Sequence, residues 1–239
     1  AGLALKGYSV VLIDGDPQGN ATSTMRLNKQ GGVYDAFIRY ADWNDVLQLV
    51  HPDVYSPPDQ QSKGKLYCLP GNIETRNVTT SLSSRHVMRQ RMSELATVFD
   101  YVIWDTGPTP SLLNEAILLA TDYVLLPTEC TAFSALEGTP DSMQFAQNAK
   151  KELDHANLEG AKILGIIPNK YRDRLVGHQE YMNYLIEQYG DLVWEPLPHA
   201  VAVEYSQTMQ EFLYGYAPDH RVTQMFWQMA DKVIAGVRA

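Results

Sequence analysis

Residues 10–22 read VVLIDGDPQGNAT, and this stretch decides the fold. Tyr8–Ile13 is an unbroken apolar run of β-branched and aromatic residues, which predicts a strand buried on both faces of a parallel sheet. The run stops at Asp14, and Asp, Gly, Asn, Ser and Thr then dominate through residue 24, the composition of a loop. Residues 100–105, DYVIWD, repeat the pattern of an apolar strand ending in a carboxylate. Residues 66–70, 123–127 and 161–168 supply further short strands, and 192–198 is extended. Helices are expected over 82–98, 110–120, 134–154, 175–189 and 221–237, with mixed helix in 33–50 and a surface loop at 51–65. Strands alternating with helices predict an α/β fold: a single domain spanning 1–239, with a mostly parallel, twisted sheet and helices on both faces.

Composition narrows the function. The 239 residues carry 28 Asp plus Glu against 19 Lys plus Arg, a formal charge of −9. That excludes a uniformly basic protein and leaves room for a local basic patch. A 45% hydrophobic and 20% charged chain is globular rather than disordered. Cys68 and Cys130 are too few for a disulfide framework and fit buried thiols in a reducing, cytoplasmic setting. The six histidines show no metal-ligand spacing, and Ser134 and Ser206 lack a nucleophile elbow.

In open α/β sheets ligands sit beyond the carboxyl ends of the strands. Asp14, Asp16 and Asp105 fall at that edge. A carboxylate placed there is costly to bury unless a cation, its waters or hydrogen-bond donors compensate. A magnesium ion bridging to phosphate oxygens is one such partner. The competing reading is that each aspartate caps the loop that follows it.

VVLIDGDPQGNAT, FDYVIWDTGPTPSLLNEAILLATDYVLLPTECTAFSALEG (99–138) and ILGIIPNKYRDR (163–174) resemble the ParA/Soj-type ATPases, the deviant Walker group that also holds MinD. Residues 204–234 match that pattern more weakly, so the likeness covers almost the whole chain. The resemblance implies a P-loop NTPase-like fold and the cofactors ATP and Mg2+. It implies a sandwich homodimer that binds nonspecific DNA and hydrolyses ATP when a ParB-like or cargo-adaptor activator engages. The setting it implies is cytoplasmic and nucleoid-associated. By matching position, Asp16 takes the catalytic role of placing the hydrolytic water. Asp14 and Asp105 are the magnesium-side aspartates, acting through water; Thr106 follows Asp105, and Asn169 sits where the family contacts adenine.

Three departures qualify this. The family opens with a strand and KGGxGKT/S, whose amides and lysine hold phosphate; that motif is not within residues 1–239, and Gly31-Gly32 has no accompanying lysine. The expectation is an upstream segment carrying it; for a chain starting at Ala1 it is weak ATP binding or none. That case would favour a non-catalytic ParA-like binding or dimerisation module. Gly107-Pro108 replaces the family's usual two prolines, and His199 and Ala202 stand where many members carry DNA-binding arginines. The remaining DNA-binding candidates are Lys170, Arg172 and Arg174 in one loop, and Arg85 and Arg89, which with Arg91 form a second set; a solvated face is the alternative. A MinD-like membrane role would want a basic amphipathic tail, and KVIAGVRA is too short and sparsely charged to be one.

Overall fold

The computed structural model describes residues 1–107, 110–131 and 137–238. Pro108, Ser134 and the first part of the helix expected from 134 lie outside them. The chain forms two compact units, Ala1–Ala120 with Ala202–Trp227, and Thr121–Val201 with Gln228–Ala239.

The first unit opens with α1 (Gly2–Leu5) and β1 (Ser9–Asp14), followed by α2 (Asn20–Thr24), α3 (Val33–Phe37), α4 (Trp43–Val46) and β2 (Gln48–Leu49). Then come β3 (Lys65–Leu69), α5 (Thr75–Ser81), α6 (His86–Leu95), β4 (Tyr101–Asp105) and α7 (Leu112–Leu119). The strand order is β2-β3-β1-β4; β1 runs parallel to β3 and β4, and β2 is antiparallel to β3. Side chains alternate across a strand. Val11 and Ile13 join Leu69, Val33, Phe37, Met88, Met92, Leu95 and Ile117 in one buried cluster. Val10 points the other way, and α1, with Leu3 and Leu5 buried, touches β1 and β3. A buried aliphatic side chain contributes about 1.5–3 kcal/mol. Helices as short as α3 and α5 do not hold their shape in water, so this cluster holds them.

The second unit contains β5 (Tyr123–Glu129), α8 (Thr139–His155), β6 (Lys162–Asn169) and α9 (Val176–Tyr189). β5 and β6 are parallel, with an irregularity between Val124 and Leu125. Cys130, Met143, Ile166, Tyr181, Met182 and Leu185 form its core. The chain continues through α10 (Val201–Thr208), α11 (Leu213–Tyr216) and α12 (Arg221–Arg238), which is apportioned between the units at Trp227. No described helix is long and apolar enough to cross a membrane.

The mixed α/β class and mostly parallel strands agree with the sequence reading. Two local expectations are corrected. The helix expected over 82–98 is the shorter α6, His86–Leu95; Leu82, at the end of the separate α5, has an extended backbone. The run SLSSR is the cause: serine hydroxyls compete with helical hydrogen bonds, and Ser84 Oγ accepts the His86 amide at 3.2 Å. The helix expected within 33–50 is present as α3 and α4, with Tyr40 at φ +54° between them. The 51–65 segment is not wholly a surface loop. A 3-10 turn at Pro52–Val54 buries Val54 and Tyr55, and the Val54 carbonyl accepts the Phe212 amide at 3.0 Å.

Gly165 in β6 lies against the buried Trp194 ring: a Cβ there would sit 2.1 Å from the indole Nε1. Lys232 Nζ stands 4.6 Å from the centre of that ring. Gly165→Ala is therefore expected to destabilise the second unit by about 1–3 kcal/mol, the usual cost of overpacking. A thermal melt followed by circular dichroism checks this; an unchanged Tm would show that the indole moves aside freely.

Candidate functional site

Parallel pairing of β1 with β4 sets Asp14 directly opposite Asp105 in register, so two strand ends deliver carboxylates to one sheet edge. The backbone crosses between them: the Gly15 amide donates to the Asp105 carbonyl at 2.8 Å, and a Cβ at Gly15 would sit 2.8 Å from that oxygen. Only glycine fits there without displacement.

Asp14 has no exposed surface. Its Oδ2 accepts both the amide of Thr22 at 2.8 Å and the Thr22 hydroxyl at 2.6 Å. Its Oδ1 receives the Asp16 amide at 3.3 Å. Thr22 Oγ1 in turn accepts the Gly71 amide at 3.0 Å, which brings in the chain just past β3. Asp16 is half-buried, and its Oδ1 accepts the Gln18 amide at 2.8 Å, an Asx turn that leaves Oδ2 for other partners. Asp105 and Thr106 retain open surface. The Asp105 carboxyl is nevertheless held above its usual range, first by the desolvation that crowding at the strand end imposes, then by the negative charges of Asp14 and Asp16.

Carboxylates arranged in this way can serve a magnesium ion only when its other ligands come from outside the protein. Among the described residues no group of three or more His, Cys, Asp and Glu side chains is arranged to hold a metal by itself. Mg2+ takes one or two carboxylates and keeps waters and phosphate oxygens for the rest. Beside Asp16 lies an open cleft of about 710 Å3, with Pro17, Gln18, Lys29, Gln30, Asn72 and Glu74 in its wall. Lys29 Nζ donates to the Gln18 carbonyl at 2.6 Å and steadies that loop.

Asn169 ends β6 in the second unit. Its Oδ1 accepts the Lys170 amide at 2.8 Å, and its carbonyl accepts the Cys130 amide at 3.2 Å. The Lys170 ammonium pairs with Glu129. Arg172 and Arg174 are exposed. In the first unit Arg85 pairs with Glu115 at 3.4 Å, and Arg89 donates to the Leu119 carbonyl at 2.9 Å. Arg91 is buried: it donates to the Ala36 and Ala41 carbonyls and lies 4.2 Å from the Trp43 ring centre. The contacts of Arg91 serve packing, which neither the DNA-binding expectation nor the solvated-face alternative foresaw. Both cysteines are buried. Burial pushes the Cys68 thiol up to about 12, with the Asp14 charge adding to it; burial and Glu129 push Cys130 up to about 11. Neither is an activated nucleophile.

Sequence reasoning missed Thr22 and Gly71. Their signal was present but weak: a threonine eight residues past a buried aspartate, and a Pro-Gly ending the neighbouring strand.

A model of the family described as "AAA domain" matches residues 1–159. The chain is 28% identical to the chromosome-partitioning ATPase Soj of Treponema pallidum, covering 82% of this chain and 72% of that protein. Among solved structures, the ATP complex of a Cyanothece McdA variant superposes with a TM-score of 0.77 at 18% identity, covering 98% of this chain and 87% of the other. Cobyrinic acid a,c-diamide synthase of Mycobacterium smegmatis with bound ADP and magnesium gives 0.75 at 18% identity, covering 100% and 86%. At these identities the two structures speak to the fold alone.

Because the folded state holds the Asp105 carboxyl above its unfolded value of 3.8, the folded protein binds more protons across that window. Stability therefore falls as pH rises from about the unfolded value through the raised one. Asp105→Asn removes the charge and is expected to raise Tm at pH 7, with the gain shrinking as acid protonates the wild-type carboxyl. A pair of melts at pH 7 and pH 4 checks the sign; a lower Tm for the variant at pH 7 would mean the charge is compensated in the folded state.

Proposed function

This chain belongs to the AAA-domain family of ParA/Soj-type partition ATPases, and from that premise we propose that it works as a MgATP-driven switch in DNA segregation or cargo positioning. The observation that carries the reading is the pairing of Asp14 with Asp105 at adjacent strand ends, with Asp16 just beyond. Relatives of this fold bound to ATP, or to ADP and magnesium, support the choice of ligand.

In this reading residues 1–239 act as one nucleotide-binding domain. Magnesium neutralises phosphate charge when it is bound, and the residues do the rest. Asp105, with Thr106 beside it, would hold the metal through its waters. Asp14 stands behind them, since three protein donors already engage its carboxylate. The magnesium-side role expected of Asp14 thus falls mainly to Asp105. Asp16 keeps Oδ2 to accept from, and orient, the attacking water. Asn169 contacts adenine. The KGGxGKT/S motif that holds phosphate in the family is not within residues 1–239.

The active form is a sandwich homodimer that holds nonspecific DNA and turns over ATP when a ParB-like or cargo-adaptor protein engages, at the nucleoid in the cytoplasm. Of the basic candidates, exposed Arg172 and Arg174 carry the DNA contact best. Lys170, Arg85 and Arg89 already have protein partners and contribute less.

Joined to a phosphate-binding segment, the chain with Asp16→Ala is expected to bind MgATP within about twofold of wild type and to lose stimulated turnover by about 100-fold, the scale of a lost general base. Nucleotide titration and phosphate release measure the two quantities. Turnover that survives removes Asp16 from the chemistry, and wild-type binding without turnover would make the protein a non-catalytic module.

Arg172→Glu with Arg174→Glu is expected to weaken retention on random-sequence DNA and to lower the salt slope of binding by about 2, one unit per lost phosphate contact. An unchanged slope would place the DNA surface elsewhere.

A further inference from the structure

The chain from Asp14 to Thr22 closes on itself through one threonine. Thr22 is fully buried and gives Asp14 Oδ2 two hydrogen bonds, one from its amide and one from its hydroxyl. The same hydroxyl accepts the Gly71 amide. Gly71 itself has no room to spare: a Cβ there would lie 2.5 Å from the Asp14 carbonyl oxygen, 2.7 Å from the Asp16 carbonyl oxygen and 2.8 Å from the Asp14 carboxyl carbon. The other carboxylate oxygen of Asp14 faces the Asp16 amide. Gly19, with φ of +63°, returns the loop by donating its amide to the Asp16 carbonyl at 2.9 Å.

From this network we infer that Thr22 and Gly71 are positioning residues, which act through Asp14 to set where Asp16 stands. The inference rests on the reading that Asp16 is the water-orienting group, and it assigns a use to a carboxylate that no exposed ligand reaches. Asp14 is the internal node, Thr22 supplies its donors, and Gly71 anchors Thr22 to the end of β3. A side-chain hydroxyl is required by the count of bonds. The hydroxyl must donate to Asp14 and accept from Gly71 at the same time, which a serine does and a valine of the same shape does not. Thr22→Val leaves the Gly71 amide without its acceptor and takes one of three donors from a buried charge.

Backbone amide hydrogen exchange on the full chain, read by two-dimensional NMR, tests this without any need for turnover. Thr22→Val is expected to speed exchange at the Asp16, Gln18, Gly19 and Gly71 amides by about tenfold or more, with amides of β6 unchanged. Thr22→Ser is expected to keep the wild-type pattern. Should Thr22→Val fail to fold, Thr22→Cys, with its weaker side-chain donor, is expected to give an intermediate acceleration at the same amides. Unmoved amides at 16–19 in the folded valine or cysteine variant would overturn the inference, as would a serine variant that behaves like valine. In the chain joined to a phosphate-binding segment, the valine variant is expected to lose kcat with KM held, and serine to rescue it; a change in KM alone would overturn positioning. Wild type that binds no nucleotide there refutes the proposed function, while the exchange data still decide the role of Thr22, so the two failures are told apart.

Discussion

A carboxylate buried without donors costs several kcal/mol, and Asp14 is buried completely. The first unit is organised around meeting that cost. Two donors come from Thr22 and one from Asp16, and Gly71 completes the arrangement from the neighbouring strand. The end of β1, the loop after it, the start of α2 and the end of β3 are thereby held by one group. Close packing around it excludes a Cβ at Gly15 and at Gly71. The loop that carries Asp16 is therefore shaped by a charge that lies beneath it.

The same edge carries an electrostatic tension. Asp105 faces Asp14 across the paired strands, and its proton affinity is raised by crowding and by two like charges. Asp14 meets its charge with internal donors, whereas Asp105 keeps open surface. The division is chemical: the inner carboxylate builds the loop, and the outer one keeps open surface. Stability given up at such a cluster is the ordinary accompaniment of a functional site.

Positive charge is divided in a similar way. Arg91 is absorbed into the packing of α6 against α3 and Trp43, and Arg89 ties α6 to the end of α7. In sequence these residues look like part of a basic surface island; in the fold they are used for hydrogen bonding inward. The arginines of the 170–174 loop remain exposed. A count of charges cannot make that distinction, because it depends on which carbonyls come within reach.

The alternation of apolar runs with amphipathic stretches determined the α/β class, since periodicity is a local property of the chain. The sequence alone also placed three aspartates at strand ends and carried the family likeness, because a strand that stops at Asp14 or Asp105 states its own end. It was misleading at Leu82–Arg85, where serines hold off until His86 a helix expected to start at 82, and at Val54–Tyr55, which a proline-rich segment buries. Only the tertiary structure decided which carboxylate is sealed and which is open, because Thr22 and Gly71 meet across 49 residues of chain. Hydrogen bonds of that span are set by how strands pair, and strand pairing is a property of the packed whole.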